Sequence, residues 1–167
     1  MRASYIAGKL AMHEKDLSPR DVLTVMEATV YHDLGKVFAP PHVQDLLNST
    51  KHPLSKIELE EVNGHVGISV DYVKSFQPND PRVLDIIAHH HDRDFPKPIE
   101  PWYTNEDRLM VKLETILACA DQTDVLLSND RNYKGRRTVA KTLKVLVPQF
   151  GEEMSKLAVA ARLRIAC

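Results

Sequence analysis

Six residues have the side chains and the order along the chain to hold divalent cations: His32, Asp33, His65, His90, His91 and Asp121. They offer imidazole nitrogens and carboxylate oxygens and no thiolate. That donor set suits iron, manganese, zinc or magnesium, with iron or manganese favoured where several histidines meet carboxylates. Nickel is a further candidate. A carboxylate such as Asp33 can bridge two cations, which an imidazole cannot do. Two bridged cations lower the pKa of a shared water, hold a phosphate, and stabilise both attacking and leaving oxygens. The chemistry expected of such a set is hydrolysis of a phosphate ester.

Taken singly, these features are weak. A His-Asp pair beside a turn is common, and a run of histidines is often a surface feature. His13, His42 and His52 read as decoration. Asp121 says more, because it follows the apolar run Leu117-Ala118-Cys119-Ala120. A carboxylate on an apolar helix face is costly to bury unpaired, so it calls for a cation.

Helices must position these residues. Helical periodicity dominates and β-branched alternation is weak, so the chain reads as all-α, a helical bundle. A first helix is expected over 5–13, with Ile6, Leu10 and His13 on one side. Ser18-Pro19 opens a second, with Ser as cap and Pro in the first turn. Its apolar stripe is Val22, Leu23, Val25, Met26 and Val30, and Gly35 is expected to stop it just after His32-Asp33. A short helix follows Pro40-Pro41, over 42–48. Ser55 caps another through Leu59, and Asn63-Gly64 breaks or kinks it before a helix over 65–76. Asp80-Pro81 opens a helix that ends in His89-His90-His91. The proline-rich stretch 92–104 reads as loop. Thr104 or Asn105 caps a long helix through Leu127, with Leu109, Leu113, Ile116, Leu117 and Ala120 inward. After a polar loop over 128–137, two closing helices are expected over 138–147 and 152–165.

The chain has 167 residues, 43% hydrophobic, which suits one domain over 1–167 with a real core. Charged residues are 27% with a net charge of −1, which gives no bulk argument for a nucleic-acid polymer as partner. The two cysteines, Cys119 and Cys167, form no CxxC pair, so a reduced, cytoplasmic setting is expected. No apolar run approaches a membrane span, and no continuous apolar stretch of a signal peptide follows Arg2.

Four segments resemble those of a known family. Tyr31-His32-Asp33-Leu34-Gly35-Lys36 resembles an HDxGK signature. Gly64-His65-Val66 through Ser69 is similar to HPxxG, with Val66 and Ser69 departing from it. His90-His91-Asp92 resembles HHE, and ACADQTDVLLSNDRNY, residues 118–133, is similar to ADxFDALTSDRPY. Order and spacing agree over residues 1–137 with the HD-GYP branch of the HD metal-dependent phosphohydrolases. The resemblance implies a helical bundle holding two divalent metal ions. It implies His32, Asp33, His65, His90, His91 and Asp121 as metal ligands, and Asp33 and Lys36 as catalytic groups. Lys36, Arg131 and Phe95 would meet the substrate, and Asp124 would be a structural hydrogen-bond acceptor. The activity implied is hydrolysis of cyclic di-GMP to pGpG or GMP. The alternatives are a phosphohydrolase for another nucleotide, or a catalytically inactive nucleotide-binding signalling module. Family members are often fused to receiver or sensory domains, so regulatory domains or a dimer partner are expected.

Two departures bear on substrate choice and metal count. Where the pattern has DGxGYP, this chain has Asp92-Arg93-Asp94-Phe95-Pro96. A Phe for Tyr keeps the stacking surface and loses the hydroxyl. Missing glycines remove close backbone approach to a phosphate. Trp102 and Tyr103 join Phe95 as aromatics suited to stacking a base. A further first-helix His would fall at or just before Met1, so a third metal is not expected.

Overall fold

Ser18, Ser55 and Thr104 start helices by the same local device. Each hydroxyl accepts the backbone N–H three residues on, and the acidic side chain found there reaches back to the cap's own N–H. Such caps contribute about 1 kcal/mol each. The computed structural model describes residues 2–48, 54–91, 97, 99–128 and 137–165. Among them lie ten helices and no strand: α1 Arg2–His13, α2 Pro19–Tyr31, α3 Leu34–Val37, α4 Pro41–Asn48, α5 Lys56–Asn63, α6 His65–Ser75, α7 Arg82–Ala88, α8 Asn105–Leu127, α9 Val139–Phe150 and α10 Glu152–Arg164. The fold is all-α, as the periodicity predicts.

One apolar core runs through most of these helices. Ile6, Leu10, Val25, Ile86, Leu113, Ile116, Leu117 and Leu146 are buried to 2% exposure or less. Burial of one such side chain is worth about 1.5–3 kcal/mol. α1 packs on α2, α8 and α10, while α7 packs on α2, α6 and α8. A smaller cluster of Ala39, Val43 and Val62 joins α4 to α5. Leu157, Leu163 and Ile165 pack against the main core beside buried Val159, so the last helix closes it. No described helix is long and apolar enough to cross a membrane.

Several local expectations shift. In α2, Leu23 and Val30 are exposed, and the buried face is Asp21, Thr24, Val25, Ala28 and Thr29. Small and hydrogen-bonded residues let α2 sit close to its neighbours, and this face is in helical register with His32. His13 is exposed and pairs with Glu153 at 3.0 Å rather than entering the core. α1 begins at Arg2, because Ala3 and Ser4 are already buried. α5 runs on past Leu59 to Asn63, burying Val62. α9 continues through Pro148 to bury Phe150, and Gly151, at φ 79°, ends it. Gly35 does not stop α2, which ends at Tyr31; it lies inside α3.

A polar network fixes the starts of α2 and α7, the helices that end beside His32 and His90. Asp80 is buried and accepts from the Arg82 backbone N–H at 3.1 Å, Arg82 Nη2 at 2.8 Å, Arg20 Nε at 3.0 Å and Thr24 Oγ1 at 3.2 Å. Arg82 Nη1 also donates to Asp21 Oδ1 at 2.7 Å. The Arg82 guanidinium holds Asp80 far below the usual carboxylate range. Burial pushes Asp21 up, but its bonds from Ser18 and Arg82 win and hold it low. Both carboxylates therefore titrate lower in the folded chain than unfolded, where the pKa is about 3.9. Their contribution is complete above that value and is lost as pH falls through the folded values. Arg82→Ala is expected to cost about 2–3 kcal/mol at pH 7 and to make the acid-side loss of stability shallower. Urea unfolding of both proteins between pH 3 and pH 7 checks this; an equally steep acid loss in the variant would count against the network.

Candidate metal centre

Three histidines are aimed by the backbone around them. His32 caps the C-terminal end of α2, His65 is the first residue of α6, and His90 lies just past the end of α7. Each Nδ1 lies against the carbonyl three residues earlier: His32 to Thr29 at 2.8 Å, His65 to Val62 at 2.5 Å and His90 to Ile87 at 2.6 Å. A carbonyl only accepts, so each Nδ1 carries a hydrogen and donates it. In the neutral ring the lone pair is then on Nε2. All three Nε2 atoms are buried and make no hydrogen bond. An orphaned buried acceptor costs about 1–3 kcal/mol; three converging on one space is what a cation would satisfy.

The carboxylates complete two groups. His32, Asp33 and Asp121 form one, and Asp33, His65, His90 and His91 form the other; within each, the candidate ligand atoms lie within 4.8 Å of one another. Asp33 belongs to both. Its Oδ1 is 3.2 Å from His65 Nε2, and its Oδ2 is 3.5 Å from His32 Nε2. Asp121 Oδ1 is 3.4 Å from His32 Nε2. Bonds of about 2.1 Å to a central cation would hold ligand atoms at such mutual separations. Asp33 stands at the N-cap of α3 yet makes no side-chain cap bond. Its carboxylate is turned to the site instead. The residues present fit divalent cations, and the lack of thiolate among them suits a hard or borderline ion. Cys119 is buried elsewhere, its thiol pushed up to about 12 by burial.

Charge in the site is arranged unevenly. Burial pushes Asp33 up, but His65, His32 and Lys36 hold it well below the usual range. Burial likewise opposes ionisation of Asp121, which His32 outweighs. Burial lowers His32, but the Asp121 and Asp33 carboxylates reverse this and leave it raised. Burial, with His91 and His32 alongside, lowers His90 to about 3; burial and His65 lower His91 to about 4. In one group the His32 imidazole, raised by two carboxylates, lies between them; in the other, His90 and His91 are lowered.

Lys36 Nζ is 2.6 Å from Asp33 Oδ1. Phe95 and Arg131 lie outside the described residues, as do His52 and Asp92. Trp102 is exposed. Asp124 is bound by Arg162 at 2.5 Å and lies 3.2 Å from Arg2, tying α8 to α10 and α1. His89, the first of the three consecutive histidines, stays out of both groups. It is 3.2 Å from the buried Glu114. Sequence reasoning missed the aiming carbonyls, which carry no residue-type signal. It also missed Ser69, whose only signal was a departure from HPxxG.

Manganese uptake at pH 6 is expected to displace a proton from His32 and none from His90 or His91. Affinity of the His32 group should therefore rise with pH until His32 is itself neutral. Calorimetric titration in buffers of different ionisation enthalpy measures this. Release of more than about one proton per chain would show that an imidazole other than His32 was charged.

A family model for the HD domain matches residues 1–126. No curated protein matches the chain. The match takes in α1 to α8 up to Leu126, and so all six of the residues gathered here. With three-quarters of its length matched, the chain belongs to the HD domain family, a membership that suggests a metal-dependent phosphohydrolase.

Proposed function

We propose that the chain is a metal-dependent phosphodiesterase that hydrolyses cyclic di-GMP to pGpG or GMP. The observation that carries the hydrolytic reading is the sharing of Asp33 by two ligand groups. On this reading His32, Asp33 and Asp121 hold one cation, and Asp33, His65, His90 and His91 a second, with iron or manganese favoured by the donor set. Two such ions would activate water and neutralise charge on the phosphate. Lys36, beside Asp33, would bind a phosphate oxygen and offset the charge that grows there during attack. Its pairing with Asp33 holds it at the shared carboxylate until a phosphate competes for it. Arg131 and Phe95 are proposed as further substrate contacts. The choice of cyclic di-GMP rests on the resemblance to HD-GYP sequences.

The glycine-free stretch 92–96 favours a second reading, a phosphohydrolase for another nucleotide. Without glycines, that segment cannot bring its backbone as close to a phosphate.

Protein purified without chelator is expected to carry about two equivalents of iron or manganese and to convert cyclic di-GMP to linear products. Lys36→Met is expected to keep both metals and to lower kcat by about 10²-fold. Elemental analysis and product chromatography on one sample check both. Metal with turnover of another nucleotide, but not of cyclic di-GMP, would select the second reading. Metal with nucleotide binding and no turnover would make the chain a signalling module.

A further inference from the structure

We propose that the buried Ser69 hydroxyl positions Asp33 between the two ligand groups, so that binding of two cations together depends on it. The inference rests on the metal reading above.

Ser69 is fully buried on α6, one turn beyond His65. Its Oγ donates to the His32 carbonyl at 2.8 Å and accepts from the Gly35 N–H at 2.7 Å. The carbonyl can only accept and the amide can only donate, so the direction of both bonds is fixed. These two backbone groups bracket Asp33, one on the peptide before it and one two residues after. A single hydroxyl therefore holds the turn that presents the shared carboxylate.

The same contact sets the distance from that turn to α6. A Cβ on Gly35 would lie 2.0 Å from the His65 carbonyl oxygen and 2.7 Å from Ser69 N. The two backbones touch, which only glycine permits. α6 thus brings His65 to Asp33 Oδ1, while the end of α2 brings His32 to Asp33 Oδ2. Each carboxylate oxygen faces a ligand of a different group. Asp33 makes no side-chain cap bond, and Lys36, 2.6 Å from its Oδ1, belongs to the same turn and so does not fix that turn against α6. A shift of the turn against α6 would turn one oxygen away from its group while leaving the other. Ser69 departs from the HPxxG pattern, so this device is written in the chain's own residues.

The test is manganese titration of the intact chain, followed by electron paramagnetic resonance. Wild type is expected to bind two ions and give the multiline signal of a spin-coupled pair. Ser69→Ala is expected to keep one ion and to bind the second about 10–100-fold more weakly, the range typical of a lost orienting partner. Its spectrum would be that of isolated ions at concentrations that saturate wild type. Ser69→Cys, which keeps the volume and weakens both bonds, stands in if Ser69→Ala does not fold. Val73→Ala, one turn further along α6 and buried in the core, controls for destabilisation alone. Two ions and a coupled signal in the Ser69 variant would overturn the inference. So would an equal loss of the second ion in Val73→Ala. A wild type that binds no manganese would remove the metal reading and this inference with it.

Discussion

Burying an imidazole nitrogen without a hydrogen bond costs about 1–3 kcal/mol, and this fold does so three times within one small space. The arrangement is stable because each ring is held from its other side. A carbonyl three residues back takes the Nδ1 hydrogen of His32, His65 and His90. Ring orientation is thus set by helix ends, where carbonyls have no partner in the helix. The unsatisfied nitrogens and the low-titrating Asp33 and Asp121 then define a place where a divalent cation would be bound by groups already turned towards it. Such preorganisation lowers the ordering cost of binding.

The surrounding helices meet that constraint by different means. α2 comes close to its neighbours through Val25, Ala28 and Thr29, which brings His32 into the interior. α7 is held at its start by Asp80 and Arg82, well away from the histidines at its end. α6 is fixed by the touching backbones at Gly35 and by Ser69. α8 supplies Asp121 from a helix whose preceding turn is wholly apolar, so this carboxylate is placed by core packing. Four helices reach the site through four kinds of contact.

Asymmetry between the two ligand groups has a chemical consequence. One joins a raised imidazole to two carboxylates, and the other joins one carboxylate to three histidines, of which His90 and His91 are lowered. The first is richer in negative charge and suits a harder cation; the second, richer in nitrogen, suits a softer one. Asp33 belongs to both, so each group's occupancy alters the charge felt by the other.

The amino-acid sequence by itself determined the all-α class, most helix starts, and the six residues of the candidate site. Caps such as Ser18, Ser55 and Thr104 act within four residues, and an apolar run around Asp121 is visible without coordinates. It did not determine which side of α2 faces inward: Leu23 and Val30 looked like core, yet Thr24, Ala28 and Thr29 took that place. It set His90 and His91 apart from His89 only through their likeness to an HHE pattern; the physical difference, where the end of α7 turns each ring, lies in the fold. Gly35 reads as a helix stop, and only the approach of the His65 carbonyl shows that its missing Cβ is needed. Local hydrogen bonds and periodicity are short-range and are written in residue type. Which helix faces meet, and so which oxygen of Asp33 faces which histidine, depends on contacts between residues tens of positions apart, and only the tertiary structure decides those.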